Sequence, residues 1–188
     1  MSGVGRRALL AMSVVLACFV AMSAVAPQPA SGASGRGAMS ARRAAALRKN
    51  ENILFSLINK ARTKRGLKSL RLQNDLRKAA RLHSRQMLVH DFFSHYSPSG
   101  RSYGARIARC GYGRSGYAAW KVGEVIAWGD GIYGVPQLVL RRWMDSSPHR
   151  AVILGRSWRE MGVGLVKGKF CGLSGVYLYT VDFGRRSG

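Results

Sequence analysis

The hydrophobic period changes along this chain, and that change bounds the fold. Ile53, Leu54, Leu57, Ile58 and Ala61 recur at spacings of three and four, the stripe of an amphipathic helix. Leu76, Ala79, Ala80, His83, Met87 and His90 mark a second such stripe. Further on the period falls to two. Val122 to Trp128 reads as a strand, and Met161 to Phe170 and Val176 to Phe183 alternate as two antiparallel strands joined by a turn at Gly172 to Gly175. Helices, then strand, helix and hairpin, predict an α+β layered domain.

Punctuation residues set the boundaries. Gly66 ends the first helix, with Lys64 and Arg65 complementing its C-terminal dipole. Leu67, Leu70 and Leu72 continue as an extended connection, and Asn74 is suited to cap the second helix. Residues 91–121 are loop-like apart from a short helix over Tyr103 to Arg109. Pro136 opens another helix carrying Leu138, Val139, Leu140 and Trp143. Ser147-Pro148 reads as a cap followed by proline at the first helical position, placing His149 in the first turn of a short helix ending at Leu154. The folded domain is expected over 50–188. Residues 27–49, rich in Ala, Ser, Gly, Pro and Arg, read as a flexible basic linker in which helix is allowed from Met39 onward.

Arg6 and Arg7 precede a run from Ala8 to Ala26 without a charge. Residues 1–26 are therefore expected to be a signal peptide or an N-terminal anchor. Cleavage after Ala26 satisfies the small-residue rule but leaves Pro27 at the cut; Ala30 and Ala33 are alternatives. Cys18 lies within the run, where Leu16 makes a poor lipidation signal. Export leaves Cys110 and Cys171, an even pair that implies one disulfide. Such a bridge would be worth roughly 4 kcal/mol in the chain-entropy model; two buried free thiols are the alternative. The formal charge of +23 draws the protein to polyanions: nucleic acid, anionic lipid or anionic wall polymers. Export and the lack of any nucleic-acid-binding motif speak against nucleic acid. A solvated basic surface is the plain reading.

Five blocks carry a family resemblance. They are Ile58-Asn59-Lys60-Ala61-Arg62 with Gly66-Leu67; Ala79-Ala80 with His83-Ser84; Phe92-Phe93-Ser94-His95 with Ser97-Pro98; Gly123-Glu124-Val125-Ile126-Ala127-Trp128-Gly129; and Trp143-Met144-Asp145-Ser146-Ser147-Pro148-His149-Arg150. Met161-Gly162-Val163-Gly164 and Thr180 with Asp182-Phe183-Gly184 complete the pattern. In this order they resemble the bacterial SCP-like branch of the CAP superfamily (cysteine-rich secretory, antigen five and pathogenesis-related proteins). The resemblance implies a three-layer α/β/α sandwich around a small antiparallel sheet. It also implies a cleft holding two histidines and two acids. His95, Glu124 and His149 match three of these positions; at the fourth stands Leu138, with Gln137 beside it.

Spacing alone would not assemble this site. The three residues are far apart in sequence, unlike a zinc finger or a zinc helix. Brought together as the resemblance implies, His95 and His149 would be ligands for Zn²⁺ or another divalent metal, with Glu124 orienting a histidine from behind. The alternatives are an exposed loop histidine at 95, a loop-fixing hydrogen-bonding residue at 124 and a capping or packing histidine at 149. His83 reads as a hydrogen-bonded core histidine, and His90 as a surface one. Trp120, Trp128, Trp143 and Trp158 read as core or cleft wall. Three functions follow: a secreted or envelope-associated module binding a ligand, lipid or metal; a metal-dependent hydrolase acting on peptide or cell-wall material; or a structural, partner-binding domain with a vestigial cleft. Neither a nucleophile elbow nor a convergent triad is evident, so enzymatic activity is left open.

Overall fold

The computed structural model describes the backbone of residues 31–188 and side chains from residue 36; the expected leader at 1–26 and Cys18 lie outside the described residues. The chain forms α1 (Ser31–Thr63), β1 (Arg71–Leu72), α2 (Asn74–Val89), α3 (Tyr103–Arg109), β2 (Ala119–Gly129), a 3₁₀ turn (Gly131–Gly134), α4 (Pro136–Asp145), α5 (Ser147–Ile153), β3 (Glu160–Phe170) and β4 (Leu173–Ser187). The strands make one sheet in the order β1-β3-β4-β2. It is antiparallel except for β1, which the leucine-rich connection contributes as two residues parallel to β3.

Side chains alternate between two faces of the sheet. Val125 and Ala127 of β2, Met161, Val163 and Leu165 of β3, and Tyr179, Val181 and Phe183 of β4 face one way. They pack with Leu54 and Ile58 of α1, Trp143 of α4 and Ile153 of α5. The opposite face lies under α2 and α3: Leu76 and Ala79 pack with Ile107, Cys110 and Tyr112, while Met87 packs with Ile126, Phe170 and Leu178. The result is a three-layer α/β/α sandwich, as the resemblance implies.

Polar residues of the sequence blocks fix these layers. Asn59 Nδ2 donates to the Leu70 carbonyl at 3.0 Å and Oδ1 accepts from the Leu70 amide at 2.8 Å, pinning the return from α1 to β1. Arg62 is fully buried and donates through Nη1 to the carbonyls of Ile153 and Gly155 at 2.6 and 3.1 Å. Those carbonyls close the C-terminus of α5, so α1 holds the helix that carries His149. Glu51 is buried, bonds Arg81 of α2 through both oxygens and accepts the Leu165 amide.

Several local expectations differ from the structure, among them the hairpin turn, which is Cys171-Gly172 rather than Gly172 to Gly175 because β4 already begins at Leu173. Residues 31–38, expected as flexible linker, already belong to the long helix α1, which the sequence allowed from Met39 onward; alanine and arginine are good helix formers, and Leu47 packs against the core. The cap of α2 is Gln73 rather than Asn74: Gln73 Oε1 accepts the amides of Asp75 and Leu76, while Asn74 Oδ1 takes Arg77. No disulfide joins Cys110 and Cys171, which are both free thiols. Gly111, beside Cys110, lies against Asp75 at the start of α2, whereas the Cys171 amide donates to Asp91 just past its end. A helix of 16 residues separates them by roughly 24 Å, far beyond disulfide reach. Burial, the largest influence, pushes the Cys110 thiol pKa up.

Helix α2 rides directly on the backbone of β3. A Cβ added at Gly164 would lie 2.2 Å from the Ala80 carbonyl carbon, and one at Gly162 would lie 2.0 Å from the Arg77 nitrogen. Gly164→Ala must therefore lift the helix, and a loss of about 1–3 kcal/mol or more is expected in urea unfolding. Gly37→Ala adds its methyl in open space on α1 and should gain about 0.5–1 kcal/mol. An unchanged midpoint for Gly164→Ala would contradict the close approach.

Candidate functional site

Among the described residues strand β2 pairs only with β4, so no strand lies on its other edge there, and exposed edges must be covered. Helix α4 does this from one layer. Trp143 Nε1 donates to the Ile126 carbonyl at 3.0 Å, and Arg142 Nη1 donates to the Trp128 carbonyl at 3.2 Å. Beside this seam lies a cleft of about 200 Å³ lined by Phe93, Ile126, Ala127, Trp128, Arg142, Trp143, Ser146 and His149. The loop after α2 brings His95 from the opposite layer, and α5 brings His149.

His95 Nδ1 lies 2.8 Å from Glu124 Oε1. The histidine side chain is 44% exposed and the glutamate 0%, so the ring joins the interior to solvent. Several contacts set its place. His83 is buried, and its Nε2 donates to the carbonyl of Ser94 at 2.7 Å, fixing the residue before His95. Burial, the largest influence, lowers the His83 pKa, so the ring stays neutral as expected of a core histidine. Tyr103 meets the His95 ring edge-on, with centroids 6.4 Å apart.

Behind Glu124 stands a residue that sequence reasoning missed. Arg106 of α3 is buried, and its Nη2 bonds Glu124 Oε2; its Nη1 reaches the His95 carbonyl at 3.4 Å and Ser97 Oγ at 3.3 Å. Both glutamate oxygens are thus engaged, one by the ring and one by the guanidinium. Asp182 of β4 is directly opposite Glu124 in the strand register and fully buried. Its carboxyl interacts with Glu124 and finds no other hydrogen-bond partner among the described residues. Burial first, then the charge of Glu124, raises its pKa well above 3.8. Two adjacent buried carboxylates cannot both ionise cheaply; Glu124 has the arginine, so Asp182 keeps its proton. A signal for Asp182 existed: it shares the inward parity of Val176, Leu178 and Thr180 on β4. Arg106 offered none in a chain with 31 basic residues.

His149 sits in the first turn of α5. The cap is Ser146, one residue earlier than expected, and it makes no side-chain bond to the helix backbone. Its hydroxyl is instead 2.8 Å from His149 Nδ1. The His149 pKa is lowered by burial, and secondarily by the charge of His95, so the two imidazoles are within electrostatic reach. The structure therefore brings His95, Glu124 and His149 to one region. Leu138 is half-buried on α4, one turn before Arg142 and on the same side of the helix.

The resemblance implies a divalent metal here, and the donor set can be tested against one. Zinc centres take at least three protein ligands. Glu124 has a side chain with no exposure that is held by His95 and Arg106, position 138 is leucine, and each histidine has its Nδ1 engaged. At most two Nε2 atoms remain. No group of three His, Cys, Asp or Glu side chains suited to a metal exists among the described residues. These residues do not fit a metal centre.

An α/β/α sandwich with a histidine–glutamate cleft at an open sheet edge defines the class. The chain belongs to the Cysteine-rich secretory protein family (CAP), whose sequence profile matches residues 55–183. It is 36% identical over 118 residues to the Bacillus subtilis protein YkwD, a match covering 62% of this chain and 42% of that protein. The chain thus spans less than half the length of that curated relative. Among solved structures, an extracellular SCP-domain protein from Bacillus anthracis superposes with a TM-score of 0.61 at 28% identity, over 73% of this chain and 41% of the other. An outer surface protein of Borrelia burgdorferi reaches the same TM-score, 0.61, at 20% identity over 74% of this chain and 94% of its own, a likeness of fold.

A raised carboxyl pKa has a defined sign in stability. Below pH 3.8 Asp182 is protonated in both folded and unfolded chains. As pH rises past that value the unfolded chain ionises while the folded one cannot, so stability is lost up to the folded pKa. Asp182→Asn keeps a neutral donor opposite Glu124. It should raise the urea midpoint at pH 7 and leave it unchanged at pH 3. Equal midpoints at both pH values would show that Asp182 is ionised in the fold.

Proposed function

We propose that this protein acts outside the cytoplasm as a non-enzymatic binding module, held at the cell envelope by its positive charge and taking a small, largely apolar ligand in the cleft. The supporting observation is the lining itself. Phe93, Ile126, Trp128 and Trp143 give apolar walls, while Arg142, Ser146 and His149 give a few polar groups. That mixture is the common make-up of a ligand site. Phe93 is 45% exposed, which an aromatic side chain tolerates well where a ligand covers it. The extracellular and outer-surface settings of the structural relatives agree with work outside the cytoplasm.

A hydrolase is the second reading, favoured by Ser146 Oγ standing 2.8 Å from His149 Nδ1. Nucleophilic catalysis also needs the base oriented by a third group. The carboxylate of this site orients His95 instead, and the serine–histidine contact is local to one helical turn. A metal-dependent version meets the ligand deficit described above.

Binding is testable with the full chain. Phenylacetamide, a neutral aromatic probe, should change the fluorescence of the cleft tryptophans saturably, and Phe93→Ala should weaken it about tenfold through lost apolar contact. No saturable change would remove the binding reading. Envelope retention is read separately, as the excess bound to phosphatidylglycerol vesicles over phosphatidylcholine vesicles. That excess should fall away at 1 M salt, where screening shortens to about 3 Å; an excess indifferent to salt would contradict it.

A further inference from the structure

We infer that the cleft selects a small ligand bearing a carboxylate on a short apolar stem. The inference rests on the reading of the cleft as a binding site and adds the charge of its ligand. It follows from where the negative charge of the site has gone. Glu124, the acid that holds His95, has a fully buried side chain and faces the buried Arg106. Asp182 lies deeper still, without exposure and without a cation of its own. The remaining acidic position of the family pattern is Leu138. No acidic side chain lines the cleft, and its charged wall residue is Arg142.

The polar side chains lining the cleft are Arg142, Ser146 and His149, and Arg142 is a donor in every protonation state. His149 Nδ1 and Ser146 Oγ share a hydrogen bond, and where the hydroxyl donates it the ring presents Nε2–H to the cleft. His95 directs Nδ1–H to Glu124 from outside this lining. Arg142 holds the Trp128 carbonyl with one Nη atom, and a guanidinium carries five N–H donors, so others remain for a ligand. A guanidinium and an imidazole N–H suit the two oxygens of a carboxylate, since bonds to a charged acceptor are the stronger kind. No acidic side chain is among the described residues that line the cleft. Size sets the stem: a closed apolar cavity of about 150 Å³ takes a benzene ring, and this cleft measures about 200 Å³.

Three probes of one shape and different charge separate the outcomes: phenylacetate, phenylacetamide and phenethylammonium, titrated against the full chain by tryptophan fluorescence and calorimetry. Phenylacetate should bind about tenfold tighter than phenylacetamide at low salt, and phenethylammonium weakest. Arg142→Gln, a change at an exposed position, should bring phenylacetate to the level of the amide measured on the same variant. Leu138→Glu should reverse the order and favour phenethylammonium, with circular dichroism confirming the fold of both variants. Equal affinity for phenylacetate and phenylacetamide overturns charge selection while the binding reading stands. Silence with all three probes overturns the binding reading itself. One-to-one zinc binding that is lost in His95→Ala also overturns the inference, because the cleft would then choose a cation.

Discussion

The buried ion pair between Arg106 and Glu124 is the contact on which the site depends. Taking both charges out of water is expensive, and the cost is met only if the remaining donors and acceptors are satisfied. Here the Arg106 Nη1 also serves Ser97 and the His95 carbonyl and the carboxylate also takes the His95 ring, with Nε of Arg106 left without a partner among the described residues. Three separate stretches, the loop after α2, helix α3 and strand β2, are thereby held at one point. Loss of either charge would leave the other buried and unpaired, a penalty of about 3–5 kcal/mol. Arg106 faces Glu124, while Asp182, buried beside that carboxylate, has its pKa raised.

Sheet order explains why the cleft lies where it does. The centre of the sheet, β3 against β4, is covered on both faces by helices, and α2 approaches so closely that only glycine fits at 162 and 164. No room for a ligand exists there. The edge strand β2 is different. Its outward carbonyls at 126 and 128 are capped by side chains of α4 rather than by another strand. Side-chain capping leaves gaps that a strand would close. His95 from one helical layer and His149 from the other reach this same edge, which makes it the place where the two halves of the sandwich meet solvent together.

Much of the layering was legible because burial writes a period into sequence. The two-residue alternation in β3 and β4 located the hairpin, and α3 matched its expected bounds of Tyr103 to Arg109. The site was legible only through the family blocks, since contacts such as His95 to Glu124 span distances that no local pattern encodes. Arg106 escaped because arginine usually marks surface, and its burial becomes affordable only once Glu124 is beside it. The cysteines misled for a related reason: parity and export say that two thiols may pair, but only the length of α2 says that they stand at its opposite ends. The linker was misjudged on its glycine and serine content, although the alanine and arginine that follow favour helix once Leu47 has a core to touch.

The leucine at position 138 gains its meaning from the same bookkeeping of charge. A cleft with two acids and two histidines is balanced for a cation. Removing one acid would leave the other free to act as a ligand, were it not bound to arginine. In this chain the position where the family resemblance implies a second acid is Leu138, and Glu124 is paired from behind with Arg106. Either feature alone would weaken a cation site. Together they suit an anion, because the charged side chain lining the cleft is Arg142. Glu124 orients His95 and α4 covers the strand edge, so the scaffold is kept whatever charge the opening prefers, and the selectivity we propose needs no change of fold.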